Sequence, residues 1–267
     1  MKILVVGDPH GAIENVRKVS SKGIDLILLT GDIGKADLAR KRHFENINRK
    51  KEGLPELEET AKHQKDVHME IHNSTIEVLK YLSKIAPVYS LQGNVGIPST
   101  PQIKKEKKKY GLNLPSTREK INSMKDFYLV KNSVKTIGGL RIGFLEYFVD
   151  TNWVQDFKPS DYKKKLQKAK KATDKARRIL KRFGSLDILV CHQPPYGYLD
   201  EVTGKFGAPK HWHGKHAGSK VILDYIKKYQ PKYVFCGHIH EGKGKTRIGK
   251  SEVYNVGFNG DYVAIDI

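Results

Sequence analysis

For a chain of 267 residues this one carries little sulfur, with two cysteines and three methionines. Cys191 and Cys236 both sit inside apolar stretches, which excludes a disulfide framework and points to a reducing interior, with both thiols acting as small buried apolar side chains. No apolar run approaches the length needed to cross a bilayer. Met1-Lys2 leads at once into an apolar run, without the small-residue cleavage site of a leader. A cytoplasmic protein without a membrane partner is the expectation, and nothing in the sequence specifies an oligomer. Internal repeats and low-complexity tracts are also missing, which sets aside repeat architectures. Acidic residues are the last scarcity: 29 Asp and Glu against 49 Lys and Arg leave a net charge of +20. Such a surface attracts phosphate-bearing partners. A Lys-rich, heat-adapted surface accounts for the charge equally well, because no aromatic-spaced nucleic-acid module accompanies it.

What the chain does have is five short hydrophobic runs, each ending on residues able to bind a metal. Ile3–Val6 runs into Gly7-Asp8-Pro9-His10, and Leu26–Thr30 into Gly31-Asp32. Val88–Gln92 leads to Gly93-Asn94, Ile188–Cys191 to His192, and Tyr233–Cys236 to Gly237-His238-Ile239-His240. Unalternating, β-branched runs of this length read as strands buried on both faces. Parallel strands deliver whatever follows them to one edge of the sheet. Asp8, His10, Asp32, Asn94, His192, His238 and His240 can therefore meet. Seven oxygen and nitrogen ligands are too many for one tetrahedral ion but suit two ions sharing a carboxylate.

The rest of the chain supports an α/β domain with insertions. A helix is expected from about Ala12 to Lys22, stopped by Gly23, and a second strand over Asp25–Thr30. Segment 35–55 reads as an exposed helical lid, with the whole helical insertion running over about 35–66. Val67, Ile71, Val78, Leu82 and Ile85 then mark a long amphipathic helix. Residues 99–125 form a basic segment without a clear period, a loop or short helix at the sheet's edge. Phe127–Val130, Ser133–Ile137 and Leu140–Tyr147 resemble a meander turning at Gly138-Gly139. A basic helix is expected over 160–183, its charged face most simply a solvated one, and another over 219–229. A hairpin (245–248 with 251–256) and a last strand (261–267) close the chain. The loop 193–217, rich in Gly, Pro and His, is too long for a mere connection.

The ordered set Asp8-Pro9-His10, Gly31-Asp32, Gly93-Asn94, His192 and Gly237-His238-Ile239-His240 resembles the signature of the calcineurin-like metallophosphoesterase superfamily. The resemblance spans residues 7 to 240. It implies a four-layer α/β/β/α sandwich in one domain, 1–267, with two mixed β-sheets flanked by helices. It also implies two divalent ions, Mn²⁺ first with Fe, Zn²⁺ or Ni²⁺ as alternatives. One would be held by Asp8, His10, Asp32 and His240, the other by Asp32, Asn94, His192 and His238. Such a pair acidifies a shared water, so that hydroxide can attack phosphorus in line. His238 and His240 are expected to point the same way from an extended segment. Asn255-Val256-Gly257 resembles the family's loop behind the metals and implies backbone support.

The resemblance breaks at one place. Where the family has Gly-Asn-His followed by an acid, this chain has Gly93-Asn94-Val95-Gly96. Val95 cannot contact phosphate or protonate a leaving oxygen. The pattern fits the phosphodiesterase-like branch, acting on good leaving groups or recruiting another acid. His211, His213 and His216 in the long loop are the candidates for that acid or for a phosphate contact. Solvated surface is the expectation for His43, His63, His68 and His72. The expected substrate is a nucleotide-type or other small phosphate ester. The alternatives are a nuclease using the basic surface, with DNA or RNA as partner, and a non-catalytic scaffold of the same fold.

Overall fold

A computed structural model describes residues 1–159 and 161–267. The chain runs through β1 (Lys2–Val6), α1 (Ile13–Val16), β2 (Leu26–Leu29), α2 (Asp37–Lys51), α3 (Ala61–Leu82) and β3 (Val88–Ser90). It continues with α4 (Thr100–Tyr110), α5 (Thr117–Asn122), β4 (Phe127–Leu129), β5 (Ser133–Ile137), β6 (Leu140–Leu145), α6 (Thr151–Phe157) and α7 (Tyr162–Phe183). Next come β7 (Ile188–Cys191), β8 (Glu201–Val202), β9 (Lys215–His216), α8 (Lys220–Tyr229), β10 (Tyr233–Cys236), β11 (Gly244–Ile248), β12 (Ser251–Asn255) and β13 (Tyr262–Asp266).

Two mixed sheets result. The first has the order β13-β1-β2-β3-β4, and the second β11-β12-β10-β7-β6-β5. In the first, β1 to β4 run parallel and β13 joins antiparallel. In the second, β12, β10, β7 and β6 are parallel, with β11 and β5 antiparallel at the edges.

The two-residue alternation of side chains explains the layering. Ile3, Val5, Leu26 and Leu28 of the first sheet meet Ile142, Phe144, Ile188, Val190 and Phe235 of the second in a central core. The intervening residues face outward. Leu4, Val6, Ile27 and Leu29 pack under α1, α3 and α5 through Val16, Val78, Leu79 and Ile121. Leu189, Cys191, Val234 and Cys236 pack under α7 and α8 through Ile179, Phe183, Ile222 and Ile226. A strand covered on both faces needs no polar side, and that is why these runs do not alternate in the sequence. The architecture is the expected α/β/β/α sandwich. Cys191 and Cys236 are free and buried, and burial pushes both thiols up.

Several local expectations are corrected. The first helix is one turn, Ile13–Val16, rather than reaching Lys22; the chain leaves it through turns in which the Lys18 amide donates to the Asn15 carbonyl and the Val19 amide to the Val16 carbonyl. Segment 99–125 holds two helices, each N-capped by a serine: Ser99 accepts from the Gln102 amide at 3.3 Å and Ser116 from the Glu119 amide at 3.2 Å. The strand Phe127–Leu129 pairs parallel with β3 in the first sheet, so only β5 and β6 form the expected hairpin. Residue 160, the expected start of the basic helix, lies outside the described residues; the helix is described from Tyr162. Among the described residues, no helix is long and apolar enough to cross a membrane.

Candidate metal centre

Sheet edges assemble the centre. The carboxyl ends of β1, β2 and β3 carry Asp8, His10, Asp32 and Asn94, while those of β7 and β10 carry His192, His238 and His240. All seven residues meet at the mouth between the two sheets. Asp8, His10 and His240 offer ligand atoms close together, as do Asp8, Asp32 and His192. Asp32 Oδ2 lies 3.8 Å from His10 Nε2 and 3.6 Å from His192 Nε2, between the two groups. Asp8 lies 3.7 Å from His192 through Oδ1 and 3.9 Å from His240 through Oδ2. Asn94 Oδ1 is 2.6 Å from His192 Nε2 and 2.7 Å from His238 Nδ1.

The local backbone is bent to achieve this. His10, Asp32 and His238 have φ of 45°, 39° and 66°, a region that non-glycine residues occupy at a cost. His238 and His240 do not leave an extended segment, as the sequence had implied. The Ile239 amide donates to the Gly237 carbonyl at 2.7 Å, making a tight turn that swings both imidazoles inward while Ile239 is buried. Gly237 permits that turn, since a Cβ there would lie 2.5 Å from Asp8 Oδ1.

Outer partners fix the ligands. Thr30 donates its hydroxyl to Asp8 Oδ1 at 2.7 Å, and the His238 amide donates to Asp8 Oδ2 at 2.5 Å. The Val95 amide donates to Asp32 Oδ1 at 2.6 Å, so Val95 contributes its backbone where its side chain contributes no acid. His192 Nδ1 donates to the Thr30 carbonyl at 3.0 Å, which leaves Nε2 as the lone-pair nitrogen. Asn255 donates to the Ile239 carbonyl at 2.8 Å, the backbone support expected of the 255–257 loop.

Electrostatics here call for added positive charge. Asp8 and Asp32 are buried, with histidines as their only ionisable cationic neighbours within 4 Å among the described residues. Burial disfavours ionised Asp8, but the charges of His192 and His10 and the Thr30 hydrogen bond hold its carboxyl below the usual range. Asp32 is pushed up by burial and by the Asp8 charge, against the pull of His192. His192 is disfavoured by burial as a cation, yet Asp32 and Asp8 hold it above its ordinary 6.5. His238 falls to about 3 and His240 to about 4, mainly by burial, so both are neutral and free to donate lone pairs. As a cation His192 donates from Nε2 to the Asn94 oxygen 2.6 Å away, and a metal ion replacing that proton would find the Nε2 lone pair and the amide oxygen side by side. The donor set therefore fits divalent metal ions.

The loop histidines are not brought in. His213 Nε2 contacts the Ala208 carbonyl at 3.0 Å and its ring lies over Gly204. His216 Nδ1 contacts buried Asp200 at 2.7 Å, and His211 is exposed beside Trp212. Asp200 ties the two ends of the loop together, since it also accepts from the Gly197 and Gly218 amides at 3.0 and 2.9 Å. It reaches the centre through Phe206, whose ring meets His240 edge-on at 5.6 Å; Phe258 stacks on His240 at 4.6 Å. Arg40 of α2 donates to the Phe206 carbonyl at 2.6 Å. On the other side, Tyr147 packs on His192 at 5.7 Å and His238 at 5.0 Å, and burial raises its phenol to about 12.

Sequence reading missed Arg40, Tyr147 and Phe206. Only Tyr147 carried a signal, as it follows a hydrophobic strand, β6, at the same sheet edge. His68 and His72 are corrected from solvated surface. His68 is buried and contacts the Pro115 carbonyl at 2.8 Å, and His72 contacts the Thr117 hydroxyl at 2.8 Å, fastening α3 to the segment that leads into α5.

Comparison with known proteins agrees with this geometry. The model of the calcineurin-like phosphoesterase family matches residues 1–242. A solved structure with a TM-score of 0.59 and 14% identity covers 99% of this chain and 94% of its own. The phosphopantetheinyl hydrolase of Mycobacterium tuberculosis aligns at a TM-score of 0.49 and 13% identity, over 97% of this chain and 90% of its own. At such identities the likeness is one of fold. UPF0046 protein T07D4.2 of Caenorhabditis elegans is 34% identical over 71 residues, which are 26% of this chain and only 16% of that protein's length.

Proposed function

The chain belongs to the calcineurin-like phosphoesterase family, and on that footing we propose that it is a phosphodiesterase acting on a nucleotide-type or other small phosphate ester. One observation carries the reading: two buried carboxylates, four imidazoles and an amide oxygen gather at one sheet edge, and the position after Asn94 holds a valine.

In this proposal Asp8, His10, Asp32 and His240 hold one ion and Asp32, Asn94, His192 and His238 the other, with Mn²⁺ the first choice. When bound, the pair supplies positive charge opposite the phosphoryl oxygens and makes water a stronger acid. The protein's own part is positional. Thr30, the His238 amide and the Val95 amide hold the two carboxylates in fixed orientation. Tyr147 keeps its proton and wedges the His192 and His238 rings in place. Phe206 and Phe258 pack on the His240 side, and Arg40, which donates to the Phe206 carbonyl, is the nearby cation for a phosphate oxygen.

Without an imidazole at position 95, no side chain there can protonate a departing alkoxide. A missing general acid typically costs about a hundredfold to ten-thousandfold on poor leaving groups and much less on good ones. A metal-reconstituted screen tests this directly. Bis-p-nitrophenyl phosphate should be hydrolysed faster than p-nitrophenyl phosphate, with cyclic nucleotides compared alongside; preference for the monoester overturns the diesterase reading.

A further inference from the structure

Helix α7 concentrates charge beyond anything the metal centre requires. Over Tyr162–Phe183 it carries eleven Lys and Arg against one acid, Asp174, so this single helix holds +10 of the chain's net +20. The charges are ordered. Lys164, Lys168, Lys171, Lys175, Arg178 and Arg182 follow one another at steps of four and three, which places them in a single row along the helix, and all six are exposed. At 1.5 Å per residue the row is about 27 Å long. A shallow groove lined by Lys175, Arg178, Ile179, Lys181 and Arg182 lies at its far end.

Two ordinary explanations fail on the same helix. Heat-adapted surfaces stabilise themselves by interleaving cations with acids in ion-pair networks. Here the only ion pair on the helix among the described residues is Arg177–Asp174 at 3.0 Å. Like charges at i,i+4, such as Lys164/Lys168, Lys171/Lys175 and Arg178/Arg182, destabilise the helix instead. Membrane insertion fails too, because the helix has already spent its apolar face: Ala169, Ala176, Ile179, Leu180 and Phe183 are buried against the second sheet and α8. What remains is a linear cationic row beside a single acid, Asp174, with Tyr162 at the helix start the one exposed large apolar side chain of α7 among the described residues; such a row is the complement of a phosphate backbone.

Its placement is also informative. β6 ends at Leu145, and Tyr147 lies at the metal centre; α6 follows, so the Lys164 end of α7 starts at the active edge of the sheet. The Arg182 end lies at the opposite edge, where Arg141, near the start of β6, donates to the Phe183 carbonyl at 3.0 Å. We propose that the α7 row is a docking surface for the phosphate backbone of a nucleic acid, read without sequence preference. It is separate from ester hydrolysis at the metal centre, and either conclusion can fail alone.

The test uses the full chain and a labelled thirty-nucleotide strand of DNA, its RNA counterpart and the duplex, measured by fluorescence anisotropy across a salt series. Engagement of four to six phosphates predicts a slope of log affinity against log salt of about −3 to −4 for single strands. DNA and RNA should bind within about threefold of each other. Reversing four charges in the row, K168E/K171E/K175E/R178E, should weaken binding by about tenfold or more and flatten the slope by about 3. The same reversal on α4, K104E/K105E/K107E/K108E, removes equal net charge and should cost about threefold or less. Both variants should hydrolyse bis-p-nitrophenyl phosphate as the parent does. The row variant should melt close to the parent, since it turns the 164/168 and 178/182 pairs attractive while leaving like charges at 171/175; should it fail to fold, K168Q/K171Q/K175Q/R178Q replaces it with the same expectations. Equal losses for the row and α4 variants, no loss in either, or binding to phosphatidylserine vesicles as tight as to the oligonucleotides would each overturn the proposal.

Discussion

The two sides of the metal centre are built from different material. Around His192 and His238 the neighbours come from strand ends and the turns directly after them: Thr30, Asn94 and Tyr147. Around His240 the strand-end residues Asp8 and Phe258 are joined by Phe206 of the long loop, whose carbonyl accepts from Arg40 on α2, 166 residues away in the chain. The first side is a product of the sandwich itself. The second draws in α2 and the loop 193–217 as well. The strand-end side should therefore govern metal retention and catalysis, and the insertion side which ester is held.

The largest effect should come from the residue that belongs to both sides. Asp32→Asn removes the shared charge while keeping the shape, and should lower turnover of bis-p-nitrophenyl phosphate by on the order of a thousandfold, the weight of several kcal/mol. Metal content measured on the same sample separates loss of ions from loss of rate. An Asp32→Asn protein with near-parental activity would remove the basis for treating the two sides as one centre.

Acidity should sharpen the comparison next. His192 is held above 6.5 in the metal-free fold, so its contribution to stability is full below pH 6.5 and is lost as pH rises through its raised value. Metal binding needs the same nitrogen unprotonated. His238 at about 3 and His240 at about 4 stay neutral in the fold but take up protons on unfolding below about pH 6.5, so their contribution to stability rises with pH and opposes that of His192. The rise in melting temperature produced by Mn²⁺ should therefore grow from pH 6 to pH 8, as the ligand nitrogen loses its competing proton. A Mn²⁺ shift that is flat with pH would remove His192 from the ligand set.

Smaller changes separate the sides. Thr30→Val deletes the hydroxyl that Asp8 accepts and should weaken metal affinity by about tenfold to a hundredfold, as outer partners of ligands commonly do. Phe206→Ala, on the other side, should leave metal affinity and kcat within about twofold and raise KM by several-fold, because it removes a wall and not a ligand. Should Phe206→Ala instead release metal, the division between scaffold and insertion collapses.

Legibility in the sequence followed the same division. Asp8, Asp32, Asn94, His192, His238 and His240 could be read because each follows a doubly buried strand, and such strands advertise themselves as unbroken apolar runs. The histidine turn was harder: nothing in Gly237-His238-Ile239-His240 tells an extended pair from a tight turn, and the deciding contact, Asp8 against Gly237, is made by residues 229 positions apart. β4 was assigned to the wrong neighbours because three residues carry too little pattern to choose a sheet. His68 and His72 looked solvated because their partners, Pro115 and Thr117, lie in an aperiodic segment that gave no hint of packing. Arg40 and Phe206 left no trace, since an arginine on a polar helix and a phenylalanine in a glycine-rich loop are ordinary where they stand.

The bond from the His238 amide to Asp8 and the bond from His192 to the Thr30 carbonyl both cross from one sheet to the other, and each involves a residue of the centre. The sandwich is thus buttoned shut at the spot where ions would lodge. Its leaves cannot part there while the cluster is intact, nor can the cluster disperse while the leaves stay together. An ion held by residues of both sheets would add to these two bonds, so a metal-loaded molecule should resist local opening and proteolysis along this edge better than the metal-free one.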